Sequence, residues 1–191
     1  MPWRTIGISV AVVAVAIWLL SLWLPDLLSP TPASRVDGTE ASQVSGATDA
    51  RRIHASLFYV SASGLTLDGV DREVPYAPSP GAQARAIVEA QLAAPPPGRV
   101  SAVPQGVQVR SLYLTARGEA FVDLSGDIVT NHPGGSLAEA LTVYAIVSAV
   151  TINLPDVTRV QILIDGREVD TLAGHVDLRH PLARDSRWIA Q

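Results

Sequence analysis

His175-x-Asp177-x-x-His180 places three groups of metal-ligating type near the C-terminus. A His and an Asp two positions apart share a face only on a strand, and that turns His180 to the opposite face. His54 and His132 are not tied to this trio by spacing, so exposed loop histidines are the expectation and no metal is assigned. Asp123 and Asp127 offer a carboxylate pair of the kind that cleaves glycosidic bonds. Their separation depends on the turn at Ser125-Gly126. Asp123 closes a strand, where an Asx-type turn bond is its ordinary role. Gly134-Gly135-Ser136 opens a helix and presents backbone N–H groups that an anion would accept. Pro133 supplies none, and a capping box between Ser136 and Glu139 takes others. Arg110, Arg117, Arg159 and Arg167 would form a basic sheet edge for anionic glycan or lipid, but Glu119, Asp165 and Glu168 offset them. No G-x-S-x-G elbow, phosphate loop or H-E-x-x-H occurs. The expectation is a protein that is not an enzyme, with no catalytic residue, metal or cofactor.

The chain of 191 residues contains no Cys, which excludes disulfides, thiolate metal sites and Cys nucleophiles. Every basic residue is Arg, and the formal net charge is -4. Without a basic block, nucleic acid is not an expected partner.

Ile6 to Leu24 (IGISVAVVAVAIWLLSLWL) carries no charge and no Pro. At about 1.5 Å per residue it spans roughly 28 Å, close to the hydrocarbon core of a bilayer. Trp3, Trp18 and Trp23 lie near its ends, Arg4 precedes it and Asp26 follows. The expectation is an uncleaved single-pass anchor in the bacterial cytoplasmic membrane, with residues 1–5 inside and the rest outside. The apolar stretch is longer than that of a signal peptide, and no clear small-x-small cleavage site follows. Residues 25–50, rich in Pro, Ser, Thr, Ala and Gly, read as a flexible linker. The folded part is expected over residues 51–182, with 183–191 as a C-terminal tail.

Within it, Ile53–Val60 reads as a strand with Ile53, Ala55, Leu57 and Tyr59 on one face. Ser63-Gly64 marks a turn, and Glu73–Tyr76 a short partner strand. Ser79 caps a helix with Pro80 at its first position, burying Ala84, Ile87, Val88 and Leu92 before the Pro95-Pro96-Pro97 stop. Val107–Thr115 reads as a strand with Val107, Val109, Ser111 and Tyr113 on one face. It turns at Ala116-Arg117-Gly118 and returns over Glu119–Leu124. A second helix runs from the Ser136–Glu139 capping box to about Asn153. Val157–Ile164 is a β-branched strand, Asp165-Gly166 a tight turn, and Arg167–Thr171 a returning strand. The order β(β)αββαβ(β) predicts an α+β fold, a mixed sheet of about four to six strands against two helices.

The second helix is apolar nearly all round. Leu137, Leu141, Tyr144, Ala145, Ser148 and Ile152 form one stripe, while Val143, Ile146, Val147 and Val150 fill much of the rest. One apolar stripe suffices against one sheet. The surplus is either covered by the first helix and loops or used for docking. Tyr144, Ile146 and Val150 are the candidate interaction residues.

These elements bring a known family into view. Leu57-Phe58-Tyr59, the helix ending at Leu92 and Pro95, Ala102-Val103-Pro104-Gln105-Gly106-Val107, Phe121-Val122-Asp123-Leu124-Ser125 and Val157–Gly166 followed by Leu172-Ala173-Gly174-His175 come in the order and spacing of the GerMN domain. Ala94 and a triple proline replace that family's usual glycine-proline step. The stretch from about Ile53 to Leu182 therefore resembles a single GerMN domain, known from spore germination and sporulation proteins, with a core similar to ring-building motifs. The resemblance implies a membrane-attached, extracytoplasmic, non-catalytic domain that docks to envelope protein complexes or to copies of itself. The alternative is a cell-wall glycan-binding module, which calls for an exposed aromatic platform. Tyr59, Tyr76 and Tyr113 are the candidates, and Tyr59 and Tyr113 fall on expected core faces. The expected partners are the lipid bilayer through residues 6–24, an envelope protein or a second copy, and peptidoglycan under the alternative.

Overall fold

The computed structural model describes residues 51–190. The anchor at 6–24 and the linker at 25–50 lie outside the described residues.

The first strand, β1 (Arg52–Val60), pairs antiparallel over its whole length with β2 (Leu67–Pro75). The turn between them uses Gly64 at φ +73°. Sequence patterning finds only the last part of β2. Its remainder, Leu67–Arg72, carries Asp68, Gly69 and Asp71, residues of low strand propensity. They suit the outer strand of a sheet, where charge discourages pairing with foreign chains.

On its other side, β1 meets the two-residue β3 (Val100–Ser101) only at Tyr59 and Val60. Two side-chain amides complete that edge. Asn153 accepts from the Ser56 N–H and donates to the Ser56 carbonyl, both at 2.8 Å. Gln91 does the same for Phe58, at 2.8 and 2.7 Å. Each amide stands in for a peptide group of a missing strand, so no buried backbone group of this edge goes unpaired.

The first helix, α1 (Pro80–Leu92), begins as its sequence predicts, with Ser79 accepting from the Ala82 N–H and Pro80 in the first turn. Ala84, Ile87 and Val88 are buried, but Gln91 takes the core position expected of Leu92, which is half-exposed. The amide duty toward β1 explains the exchange.

A second sheet follows. β4 (Val109–Leu114) and β5 (Glu119–Leu124) form an antiparallel hairpin, and β5 runs parallel to β6 (Arg159–Ile164). Short strands β7 (Arg167–Glu168) and β8 (Leu182–Ala183) both pair with β6. The fold is α+β with a mixed sheet, and its strands divide into a three-stranded and a five-stranded sheet. The register of β4 slips between Val109 and Ser111. This bulge reverses which side chains face inward. Tyr113, expected in the core with Val109, is instead 64% exposed.

Between β5 and β6 lie the one-turn helix α2 (Asp127–Thr130) and the long helix α3 (Ser136–Asn153). This is the crossover that a parallel pair requires. Among the described residues α3 is the only helix long and apolar enough to cross a membrane, yet most of it is buried in the core. It packs against α1, β1 and β6. Its remaining face is covered by residues expected as a tail. Ser186–Trp188 form a 3-10 turn with Asp185 as its cap, and Trp188 stacks on Tyr144 with ring centroids 5.8 Å apart. Beyond it, Ile189 bridges Leu67 and the Ala190 N–H donates to the Leu67 carbonyl. The C-terminal segment thus straps both sheets, through β8 on β6 and through Ile189–Ala190 on β2.

Candidate docking groove

The capping box expected at Ser136 and Glu139 does not form. Gly135, at φ +88°, is the N-cap, and no side chain caps the helix. Ser136 is therefore the first helical residue and Glu139 the fourth, one position past the place where a capping carboxylate reaches back. Glu139 turns elsewhere. It is fully buried, and its Oε1 accepts from the Leu172 and Ala173 N–H groups at 2.9 and 3.0 Å. Its Oε2 accepts from the His175 N–H at 2.8 Å and from the His175 Nδ1 at 3.1 Å, so that ring nitrogen carries a proton. Burial alone would raise the carboxyl's pKa. The backbone N–H groups of Ala173, Val176, His175 and Leu172 outweigh it, and the pKa lies below its usual value.

His132, just before α3, holds the entrance to that helix. The Gly134 N–H donates to its Nδ1 at 2.9 Å, which leaves the proton on Nε2. Nε2 faces the Thr142 hydroxyl at 3.2 Å, and that hydroxyl donates to the Ala102 carbonyl at 2.6 Å. The chain His132–Thr142–Ala102 ties the loop at 131–135 to the end of β3.

Between these two tied walls lies a groove of about 560 Å³. Ser101 and Ala102 form one side, Leu137, Ala138 and Leu141 the other, with Val60 and Pro133 completing an apolar lining. No charged side chain lines it. Leu137 is exposed, and Leu65 and Val100, next in sequence to the lining residues Gly64 and Ser101, are 61% and 64% exposed. An uncharged groove lined mainly by apolar side chains, with Leu137 exposed in it, is a surface suited to a protein partner.

The other residues singled out from sequence stand as follows. Among the described residues no cluster of three His, Asp or Glu could hold a metal. His175 serves Glu139, Asp177 pairs with Arg179 at 2.7 Å, and His54 and His180 are exposed. Asp123 is buried and accepts from the Gly166 N–H at 2.7 Å, fixing the β6–β7 turn. Arg110 bridges Asp123 and Asp165 at 3.3 and 3.2 Å. Asp127 instead accepts from the Ser125 hydroxyl at 2.8 Å, so the two aspartates serve separate local structures. Arg117, Arg159 and Arg167 are exposed.

The candidate interaction residues on α3 change role. Ile146 and Val150 have no exposed surface, because α1, β1, β6 and the C-terminal segment cover α3 around them. Tyr144 is half-buried beneath Trp188. Its phenol pKa is pushed up, first by burial and then by the Asp185 charge. The groove and the strap are what sequence reasoning missed. One signal was available for the strap: Trp188-Ile189 is an apolar pair in an otherwise polar end, and α3 needs a second cover.

The model of the Germane family, described as sporulation and spore germination, matches residues 56–170, more than half of the chain. The chain belongs to the Germane family. Two solved structures share the fold of this Germane domain. One is a lipoprotein from Clostridium perfringens, with 19% identity over 71% of this chain and 89% of the other, and a TM-score of 0.51. The other is the tandem GerMN domains of the sporulation protein GerM from Bacillus subtilis, with 16% identity and a TM-score of 0.52. There the match covers 71% of this chain and 46% of the tandem. No curated protein matches the chain. The family match ends at Asp170, so the residues that grip Glu139 and stack on Tyr144 lie outside it.

Proposed function

We propose that this Germane domain is a non-catalytic docking module, held at the outer face of the cytoplasmic membrane by residues 6–24, that binds an envelope protein. One observation carries the reading: an uncharged groove lined by Val60, Pro133, Leu137 and Leu141, with Leu137 exposed. The side chains with catalytic potential, Asp123, Asp127 and His175, are each engaged in local structure. Family membership supports a role in sporulation or germination.

The test is crosslinking in cells, with a photo-reactive amino acid placed at Leu65 in the full-length chain. The same group at Arg117, on the hairpin turn, is the control. A defined membrane or envelope protein captured from Leu65 and not from Arg117 supports docking. Equal capture from both positions, or none, counts against it. Ladders of the chain itself would favour ring-type self-association.

A glycan-binding role gains one supporting observation, the exposure of Tyr113 and of Tyr76. Arg51 already covers one face of the Tyr76 ring at 4.2 Å from its centroid. Co-sedimentation with purified peptidoglycan, lost in Tyr113→Ala, would move the assignment to the wall.

A further inference from the structure

Successive residues of a strand turn their N–H and C=O groups to opposite sides. Ser56 and Phe58 turn theirs away from β2, toward the amides of Asn153 and Gln91. Val60, two residues on, uses that same side, so the Val60–Val100 pair is the hydrogen-bonded rung between β1 and β3. Ser101 then turns its N–H and C=O away from β1. Among the described residues no strand lies beyond β3, which ends its sheet. The neighbouring groups are already engaged. The Ala102 carbonyl accepts from Thr142, and both backbone groups of Val103 bond the Ser101 hydroxyl. One open rung is left, and Ser101 lines the apolar groove.

From this geometry we infer that Ser101 and the groove bind an extended segment of a partner protein. The segment's backbone pairs with Ser101, and an aliphatic side chain sits between Ala102 and Leu137. This rests on the docking reading and names its surface and occupant. The uncharged lining selects for the occupant, because a glycan carboxylate or lipid phosphate finds no cationic side chain there. Strand addition supplies two backbone hydrogen bonds, and the seated side chain supplies burial.

The test uses the full-length chain in nanodiscs against a phage-displayed library of random nonapeptides. Enriched peptides are expected to carry aliphatic residues at alternate positions. Ser101→Pro removes the outward N–H together with the hydroxyl, and an outer strand tolerates proline. It and Leu137→Asp should each weaken the selected peptides at least tenfold, while Ser101→Ala, which removes the hydroxyl alone, should not. Binding should also slow deuterium exchange over residues 100–102, a readout that stands if Ser101→Pro fails to fold. No enrichment, enrichment indifferent to Leu137→Asp, or unchanged exchange overturns the inference. In cells, a photo-reactive group at Leu137 should capture the same protein as one at Leu65, and Ser101→Pro should abolish that capture. Capture from Leu65 that survives Ser101→Pro overturns the strand pairing and leaves docking intact. Capture from neither position overturns docking itself. Crosslinked homodimers from Leu137 make a second copy the occupant and overturn the assignment to a partner.

Discussion

Glu139, buried, and His175, at the surface, meet across 36 positions of sequence, the carboxylate accepting from both the backbone N–H and the ring of the histidine. Glu139 thereby fastens the segment that leads into the C-terminal strap. Because its folded pKa is lowered, its stabilising contribution is complete above about pH 4.5, the carboxyl's ordinary value, and fades as pH falls toward the depressed folded value. Protection of the amides at Leu172, Ala173 and His175, relative to their intrinsic exchange, should fall in that acid window before the rest of the fold opens. Glu139→Gln sets an amide NH2 among N–H donors and should cost about 3 kcal/mol at pH 7, flattening the acid dependence. An unchanged acid profile in Glu139→Gln would show that another carboxylate governs the strap.

Gln91→Leu should destabilise the domain by about 2–4 kcal/mol, although it replaces a buried polar residue with an apolar one of similar size. The reason is the stranded Phe58 N–H and C=O, which no other described group reaches. Urea denaturation measures it. A loss below about 0.5 kcal/mol would mean that water or backbone movement satisfies the edge.

Asp123 and Asp127 should differ sharply. Asp123→Asn weakens the hold on the Gly166 N–H and the ion pair to Arg110, and should lower stability by about 2 kcal/mol. Asp127, exposed at the start of α2, should tolerate Asn within about 0.5 kcal/mol. Comparable loss of a cellular phenotype from each variant, with stability preserved, would instead mark a working carboxylate pair.

Trp188→Ala should uncover the Tyr144 face of α3. The expected loss is about 2 kcal/mol, since the ring is only half-buried. The near-ultraviolet circular dichroism of the stacked pair should fall and binding of a hydrophobic dye should rise. Absence of both changes would mean that the strap does not cover the helix in solution.

Much of the scaffold was legible in local chemistry. Ser79 and Pro80 start α1, Gly118 turns the β4–β5 hairpin, and Asp165-Gly166 turns at β6 with positive φ at both residues. Such signals act within a few residues, which is why they survive without tertiary context. The missed positions share a different cause. Gln91 looks like the polar flank of α1 until β1 is seen to need its amide. Tyr113 follows a clean alternation until the bulge before Ser111 inverts it. Glu139 fits a capping box until the helix starts one residue earlier than the box requires.

The sequence by itself determined the family, the order of the main strands and two long helices, and the apolar excess of α3, because these rest on residue type and short spacing. Only the tertiary structure decided what covers that excess and where a free surface remains. The strap reaches α3 and β2 from the far end of the chain, and the open rung at Ser101 exists because Asn153, Gln91 and Thr142 close the positions around it. Which backbone groups remain unpaired depends on every strand and side chain brought alongside, and no local pattern encodes that sum.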